Sequence, residues 1–145
     1  MAEYVYAPEQ TVAYGQNVLL NGSNPCKKGY ILHREGSGVL TLRAIVNNPC
    51  ADSAKYQVTF NGNIAIPTGG TVGEISLAVS IGGEALQTSL AANTPTAVDA
   101  YGNVTSTAIV TVPRGCCTNV GVQNTSDISE PILVRNANLV ITRIA

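Results

Sequence analysis

The stretch that decides the fold is Glu74-Ile75-Ser76-Leu77-Ala78-Val79-Ser80-Ile81-Gly82-Gly83. Large apolar side chains alternate in it with serine and alanine, which is the period-two pattern of a strand with one buried face. The pair Gly82-Gly83 predicts a two-residue hairpin turn, because both positions can adopt positive φ. We therefore expect a strand over Glu74–Ile81 and a returning strand over Glu84–Leu90.

The same alternation recurs outward from this stretch in short runs that end at Gly, Pro, Asn or Asp. These runs are Thr11–Leu20, Tyr30–His33, Val39–Val46, Lys55–Ile66, Val104–Val112, Thr118–Asn124, Ile132–Val134 and Asn138–Ile144. Polar segments at Ala91–Gly102 and Thr125–Pro131 are predicted loops. No segment has a sustained helical period. The pattern predicts an all-β antiparallel sandwich of about 8–10 strands. We expect one domain over residues 1–145, with residues 1–10 inside it or forming an extended N-terminal arm.

The composition favours assembly over catalysis. Charged residues make up 12% of the 145 residues, about half of the usual ~25%. A neutral polar surface can be buried against partners at low desolvation cost. The net charge is −1 and the 8 basic residues are scattered, which argues against nucleic acid as a partner. No apolar run is long enough to span a membrane. The N-terminus does not resemble a signal peptide, so we expect synthesis in the cytoplasm.

Four cysteines offer the first candidate chemistry. Cys26 and Cys50 each follow Asn-Pro in a predicted loop, and Cys116 is adjacent to Cys117. We predict a disulfide between Cys26 and Cys50, whose loops flank the same pair of strands, provided that the compartment is oxidising. Cys116 or Cys117 can instead reach a neighbouring subunit. Reduced, buried thiols are the alternative for all four.

Catalytic, cofactor and metal sites are not predicted. His33 is the sole histidine, and only Glu35, in a predicted turn, is an acid near it in sequence. A neutral structural histidine is therefore expected. The acidic residues are scattered, and the best pair, Asp127 and Glu130, provides too few oxygen ligands for calcium. The cysteine spacing is not that of a zinc site.

Four segments carry a family resemblance. Gly38-Val39-Leu40-Thr41-Leu42 leads across a loop to Tyr56-Gln57-Val58-Thr59-Phe60, and the stretch at 74–83 forms a hairpin signature. Thr105–Val112 is a strand followed by Gly115, and Asn136–Ile144 is a closing strand. In this order they resemble the tumour-necrosis-factor-like jelly roll, the superfamily of the globular heads of complement and of collagen-like spore-surface glycoproteins. The whole sequence is also similar to structural proteins of phages of gut Firmicutes.

The resemblance implies a jelly roll that forms a homotrimer. Tyr56 and Phe60 hold two of the seven aromatic rings, and they would either pack across the threefold axis or fill the core of the sandwich. The implied function is that of a non-enzymatic structural protein on a phage virion, as a fibre head or a capsid decoration, with other virion or surface proteins as further partners. The alternative is an adhesion module that binds a glycan or a host receptor through Ala91–Gly102 and Thr125–Pro131. An enzyme centred on His33 is the third hypothesis.

Overall fold

The computed structural model describes residues 2–21, 30–34, 36–44, 50–115, 117–126 and 130–145. In these ranges the regular secondary structure is almost entirely β-strand, as the period-two pattern predicted. The strands are β1 (Ala2–Tyr6), β2 (Gln10–Val12), β3 (Ile31–His33), β4 (Leu40–Arg43), β5 (Ser53–Ala65), β6 (Ile75–Ile81), β7 (Glu84–Ala85), β8 (Ala91–Asn93), β9 (Gly102–Pro113), β10 (Cys117–Asn124) and β11 (Ile132–Arg143).

The described strands form two antiparallel sheets. The first sheet has the order β1-β11-β5-β9, with β2 also paired to β11. The second sheet has the order β3-β4-β10-β6-β7, with β8 beside β6. Neighbours in each sheet are mostly distant in sequence, as in a jelly roll, so that the predicted all-β antiparallel sandwich is confirmed.

The core lies between the sheets and is built from alternate residues of nearly every strand. On β5, Tyr56, Val58 and Phe60 are buried while Gln57 and Asn61 point outward. Strand β6 departs from this pattern, since its serines are buried as well as its apolar residues. Non-local polar groups cover them: the Ser76 hydroxyl contacts that of Thr125, and the Ser80 hydroxyl donates to Asn17.

The structure corrects the trimer-interface interpretation of Tyr56 and Phe60, because both side chains are 0% exposed in the single chain. The phenol of Tyr56 donates a 2.5 Å hydrogen bond to the carbonyl of Arg43 in the opposite sheet. The ring of Phe60 lies so close to Gly62 that a Cβ there would approach Phe60 Cζ to 2.9 Å. Both residues fill the sandwich core and are unable to reach a neighbouring subunit.

The glycine hairpin is confirmed, but its returning strand is shorter than predicted. Gly82 and Gly83 have φ of 62° and 89° and connect β6 to β7. The chain then forms a 3₁₀ helix at Gln87–Ser89. The hydroxyl of buried Ser89 accepts a hydrogen bond from the Val79 amide of β6. This side-chain bond takes the place of a backbone bond to a neighbouring strand. Strand β8 follows inside the segment that was predicted to be a loop.

The predicted strand Thr11–Leu20 is wrong beyond Val12. A turn centred on Tyr14 and Gly15, with φ of 78° at the glycine, ends β2 and redirects the chain. β2 belongs to the first sheet, whereas the segment after the turn lies beside β10 of the second sheet, where the Val18 amide bonds the Val122 carbonyl at 2.8 Å. The chain passes from the first sheet to the second at this point, and the turn at Tyr14 and Gly15 makes the change of direction possible.

The two ends of the chain share one region of the first sheet. β1 pairs with β11 from Ala2↔Ile141 to Tyr6↔Ala137, so that residues 2–6 form a strand of the sheet. The predicted segments Ile132–Val134 and Asn138–Ile144 are joined in the single strand β11. A register shift between Arg135 and Asn138 interrupts its pairing to β5, and Asn136 there has φ of 54°.

Candidate functional site

The candidate site is the solvent-facing side of the first sheet, which we call the outer face. Register places side chains of four strands in rows across it, because directly paired residues point to the same side. One row runs Val5–Asn138–Asn61–Thr105 and the next runs Glu3–Val140–Thr59–Thr107. The outer face consists of Glu3, Val5, Lys55, Gln57, Thr59, Asn61, Asn63, Asn103, Thr105, Thr107, Ile109, Thr111, Arg135, Asn138, Val140 and Thr142.

The centre of the outer face is neutral, and its polar groups are largely paired with each other. Charges stand at the margins, on the edge strand at Glu3 and near the strand ends at Lys55 and Arg135. Asn61 Oδ1 accepts hydrogen bonds from Asn103 Nδ2 at 2.9 Å and from Thr105 Oγ1 at 3.2 Å. Because these groups already have partners, covering them leaves fewer orphaned donors and acceptors than covering unpaired groups would.

Strand β9 forms one edge of this sheet and carries no lysine or bulge along its length, while Ser89 and Asn93 lie against it at Ser106 and Gly102. It pairs with β5 without a break from Ser53↔Pro113 to Ile64↔Gly102, and it carries no charged residue over Gly102–Pro113. Edge strands in monomers are commonly blunted by lysines, bulges or shortness. Ile109 on this strand is 53% exposed, and Val5 at the far side of the face is 43% exposed. The edge and the face together present a surface suited to burial.

A charged group borders the outer face at the start of β9. The Arg135 guanidinium lies 3.7 Å from the centre of the Tyr101 ring, a cation–π contact. The Tyr101 hydroxyl donates a hydrogen bond to the Glu9 carboxylate. Burial and this carboxylate together raise the pKa of Tyr101 to about 12. The group fastens the β1–β2 turn, β9 and β11 to each other and fixes the end of the face.

His33 lies at a cavity of about 410 Å³ whose walls include Arg34, Ser37 and Thr41. Its ring is buried against Tyr4, with 4.7 Å between the ring centres. Nε2 donates a 2.8 Å hydrogen bond to the Ser37 carbonyl, while the Ser37 hydroxyl donates to the carbonyl of Val39. These contacts hold a turn together and do not form a nucleophile–base pair. Glu35 lies outside the described residues, and the absence of catalysis stays a prediction.

The described cysteines lie at one end of the sandwich. Cys50 is exposed just before β5, and Cys117 is exposed at the start of β10. The β9–β10 turn contacts the loop of Cys50, since the Arg114 amide donates to the Asp52 carbonyl at 2.8 Å. The alternative prediction that these two thiols are buried was therefore wrong. Cys26 and Cys116 lie outside the described residues, so the predicted disulfide and the inter-subunit thiols stay predictions.

Metal-binding groups of three or more His, Cys, Asp or Glu side chains are absent from the described ranges. The carboxylate of Glu130 instead accepts hydrogen bonds from the amide and the hydroxyl of Thr71. Asp127, its predicted companion, lies outside those ranges. In the same part of the chain, no helix combines the length and the apolar character that a membrane span requires.

Sequence reasoning missed the residues that make the outer face distinctive. Ile109 was assigned only to a strand, although its place at an uncharged edge was visible in the charge-free run Gly102–Pro113. Tyr14, outside that face, was assigned to the strand Thr11–Leu20 and instead lies in a turn with 52% of its surface exposed. The one local signal was the isolated Gly15, since a glycine within a strand pattern indicates an irregularity of the strand.

Solved structures share this fold. The globular domain of the zebrafish complement 1qA protein aligns with a TM-score of 0.62 at 13% identity, over 99% of this chain and 95% of that chain. The Eiger TNF of S. frugiperda aligns with a TM-score of 0.67 at 12% identity, over 99% and 91%. No family profile matches the sequence, and no curated protein matches it either. The resemblance to the complement-head and TNF jelly roll is thus confirmed at the level of the fold.

Proposed function

We propose that this chain is a non-enzymatic structural module that assembles as a homotrimer through the outer face and the edge of β9. The observation that carries the proposal is an uncharged twelve-residue edge strand, Gly102–Pro113, beside a neutral sheet face. Beyond Ser106 this edge offers backbone groups and the exposed side chain of Ile109 to a partner, and a second copy of the chain is the partner that every molecule of the protein meets.

The energetics of the outer face favour such an assembly. Water must be removed from amides and hydroxyls that already bond each other, as Thr59 Oγ1 does with Thr107 Oγ1 at 3.1 Å. Burying a charge without a partner would cost far more. Ile109, Val5 and Val140 supply the apolar area, and the marginal charges of Glu3, Lys55 and Arg135 remain at the rim. This is the arrangement of an interface with a neutral centre and a polar rim.

The resemblance supports a ring of three, and an edge-to-face contact is compatible with it. An edge of one copy placed on the face of the next is a heterologous contact, and heterologous contacts close into a ring when the rotation permits it. The jelly rolls that this sequence resembles form trimers. The expected particle contains three chains of 15.0 kDa, about 45 kDa in total.

Sedimentation velocity of the purified chain tests the assembly. At micromolar concentration the expected result is a single species of trimer mass. A monomer at that concentration refutes the proposal, and a dimer refutes the ring of three.

The proposed setting is the outside of a phage particle, where the trimer would be a fibre head or a capsid decoration. The support is the expectation drawn from the sequence alone, which resembles structural proteins of phages. Mass spectrometry of phage particles purified from a strain that carries the gene tests the setting, and the chain should be found there at a structural copy number. Neighbouring genes for capsid and tail proteins are the second expected observation. Particles without the chain would remove the virion role and leave the assembly proposal unaffected.

A further inference from the structure

A second surface, on the opposite sheet, contains a small cavity with an exposed aromatic ring. Its volume is about 330 Å³, at the lower end for small-molecule sites. The walls come from the turn after β2, the segment β7–Leu90 and the end of β10. The cavity residues are Tyr14, Gly15, Ala85, Gln87, Leu90, Gln123, Asn124 and Thr125.

The ring of Tyr14 is held on a rigid turn. The Gln16 amide bonds the Ala13 carbonyl at 3.0 Å and closes the turn. The turn is fastened to β10 from both sides, because Gly15 donates to the Asn124 carbonyl at 3.0 Å and accepts a 2.9 Å hydrogen bond from Gln123 Nε2. Tyr14 is nevertheless 52% exposed, and the described residues offer its hydroxyl no hydrogen bond. The backbone that carries this exposed ring is thus held in place, which lowers the cost of ordering it on binding.

The chemistry of the walls limits the ligand class. Apart from the phenol of Tyr14, the described residues that line the cavity do not ionise, so that they offer phosphates, carboxylates and cationic ligands no opposite charge. Fully apolar ligands fit poorly as well, because amide groups occupy two sides. The Gln87 side chain is exposed, and Gln123, which also lines the cavity, uses its Nε2 for the Gly15 carbonyl and keeps its Oε1 as an acceptor.

We propose that this cavity binds a neutral saccharide. Sugar rings have an apolar C–H face that packs on an aromatic ring, and their hydroxyls exchange hydrogen bonds with amides. Tyr14 and half-exposed Leu90 provide the apolar contact, and Gln87 and Gln123 provide the polar contacts. The volume admits roughly one or two sugar rings. None of the described residues that line the cavity belongs to the outer face of the first sheet.

The test begins with the purified chain on an array of neutral, sialylated and sulfated oligosaccharides. Binding is then measured by NMR titration with the strongest neutral oligosaccharide. The expected result is selective binding of neutral glycans. Tyr14→Ala should weaken it about tenfold, while Tyr14→Phe, which keeps the ring, should stay within about threefold.

The matched control is Tyr30→Ala, which removes another partly exposed ring, one that contacts Arg143 away from the cavity. It should leave saccharide binding unchanged. Gln87→Ala is the second variant, and its surface position preserves folding, so that a loss of binding there supports the site independently of Tyr14. No neutral glycan bound, stronger binding of charged glycans, or equal binding by Tyr14→Ala and wild type would each overturn the proposal.

Discussion

Ile109→Lys is the substitution that the proposed trimer tolerates least. The side chain is 53% exposed in the single chain, which corresponds to about 90 Å² that assembly can bury. Burial of that area contributes about 2 kcal/mol per copy, so that three copies lose about 6 kcal/mol. A loss of about 6 kcal/mol raises the dissociation constant of the trimer about 10⁴-fold. Because the half-dissociation concentration of a trimer varies as the square root of that constant, we expect this concentration to rise on the order of a hundredfold.

Sedimentation velocity over a concentration series measures this shift directly. Val72→Lys is the matched control, because Val72 is 50% exposed in the loop between β5 and β6, away from the outer face. It loses a similar apolar exposure and gains the same charge, yet it should leave the trimer unchanged. Equal midpoints for the two variants would refute the assignment of β9 to the interface.

Three further substitutions probe the core and the border of the outer face. Phe60→Ala should lower the free energy of unfolding by about 3–5 kcal/mol, measured by denaturant titration, because the ring is 0% exposed; a loss under about 1 kcal/mol would contradict its core position. Tyr56→Phe should cost about 1–3 kcal/mol, since the Arg43 carbonyl loses a buried donor; unchanged stability would argue against that hydrogen bond. Phenolate absorbance should show Tyr101 titrating with a pKa of about 12, and Glu9→Gln should lower that pKa. Because the folded pKa lies above the ordinary 10.0, the stability that Tyr101 contributes is complete below pH 10 and is lost as the pH rises towards 12.

The strands of the first sheet could be predicted because their signals are local. In β5 and β9 one face is buried and the other is in water, so that alternation in the sequence matches alternation in burial. The turn at Gly82-Gly83 was equally local, because two adjacent glycines suit positive φ at both turn positions. The all-β fold class could be predicted from such local signals, because they recur along the chain.

Other features depend on partners far away in sequence. The alternation of apolar and polar residues continues past Val12, although β2 ends there. Only the hydrogen bonds of Gly15 and Gln16 to Asn124 show that the chain has moved to the other sheet. The serines of β6 appear exposed from their spacing, but non-local partners such as Thr125 bury them. Whether Phe60 faces the core or a neighbour was likewise undecidable from a pattern that is identical for both.

The two proposed surfaces are on opposite sheets, and this arrangement relates them. Burying the outer face of the first sheet at the centre of a trimer leaves the second sheet, with Tyr14, directed outward on all three copies. Saccharide sites are weak singly, and three on one particle bind a dense glycan surface with an avidity well above the affinity of one site. The dissociated Ile109→Lys chain should therefore bind a soluble oligosaccharide as wild type does and lose retention on a glycan-coated surface. Equal retention by monomer and trimer would show that the three sites do not act together.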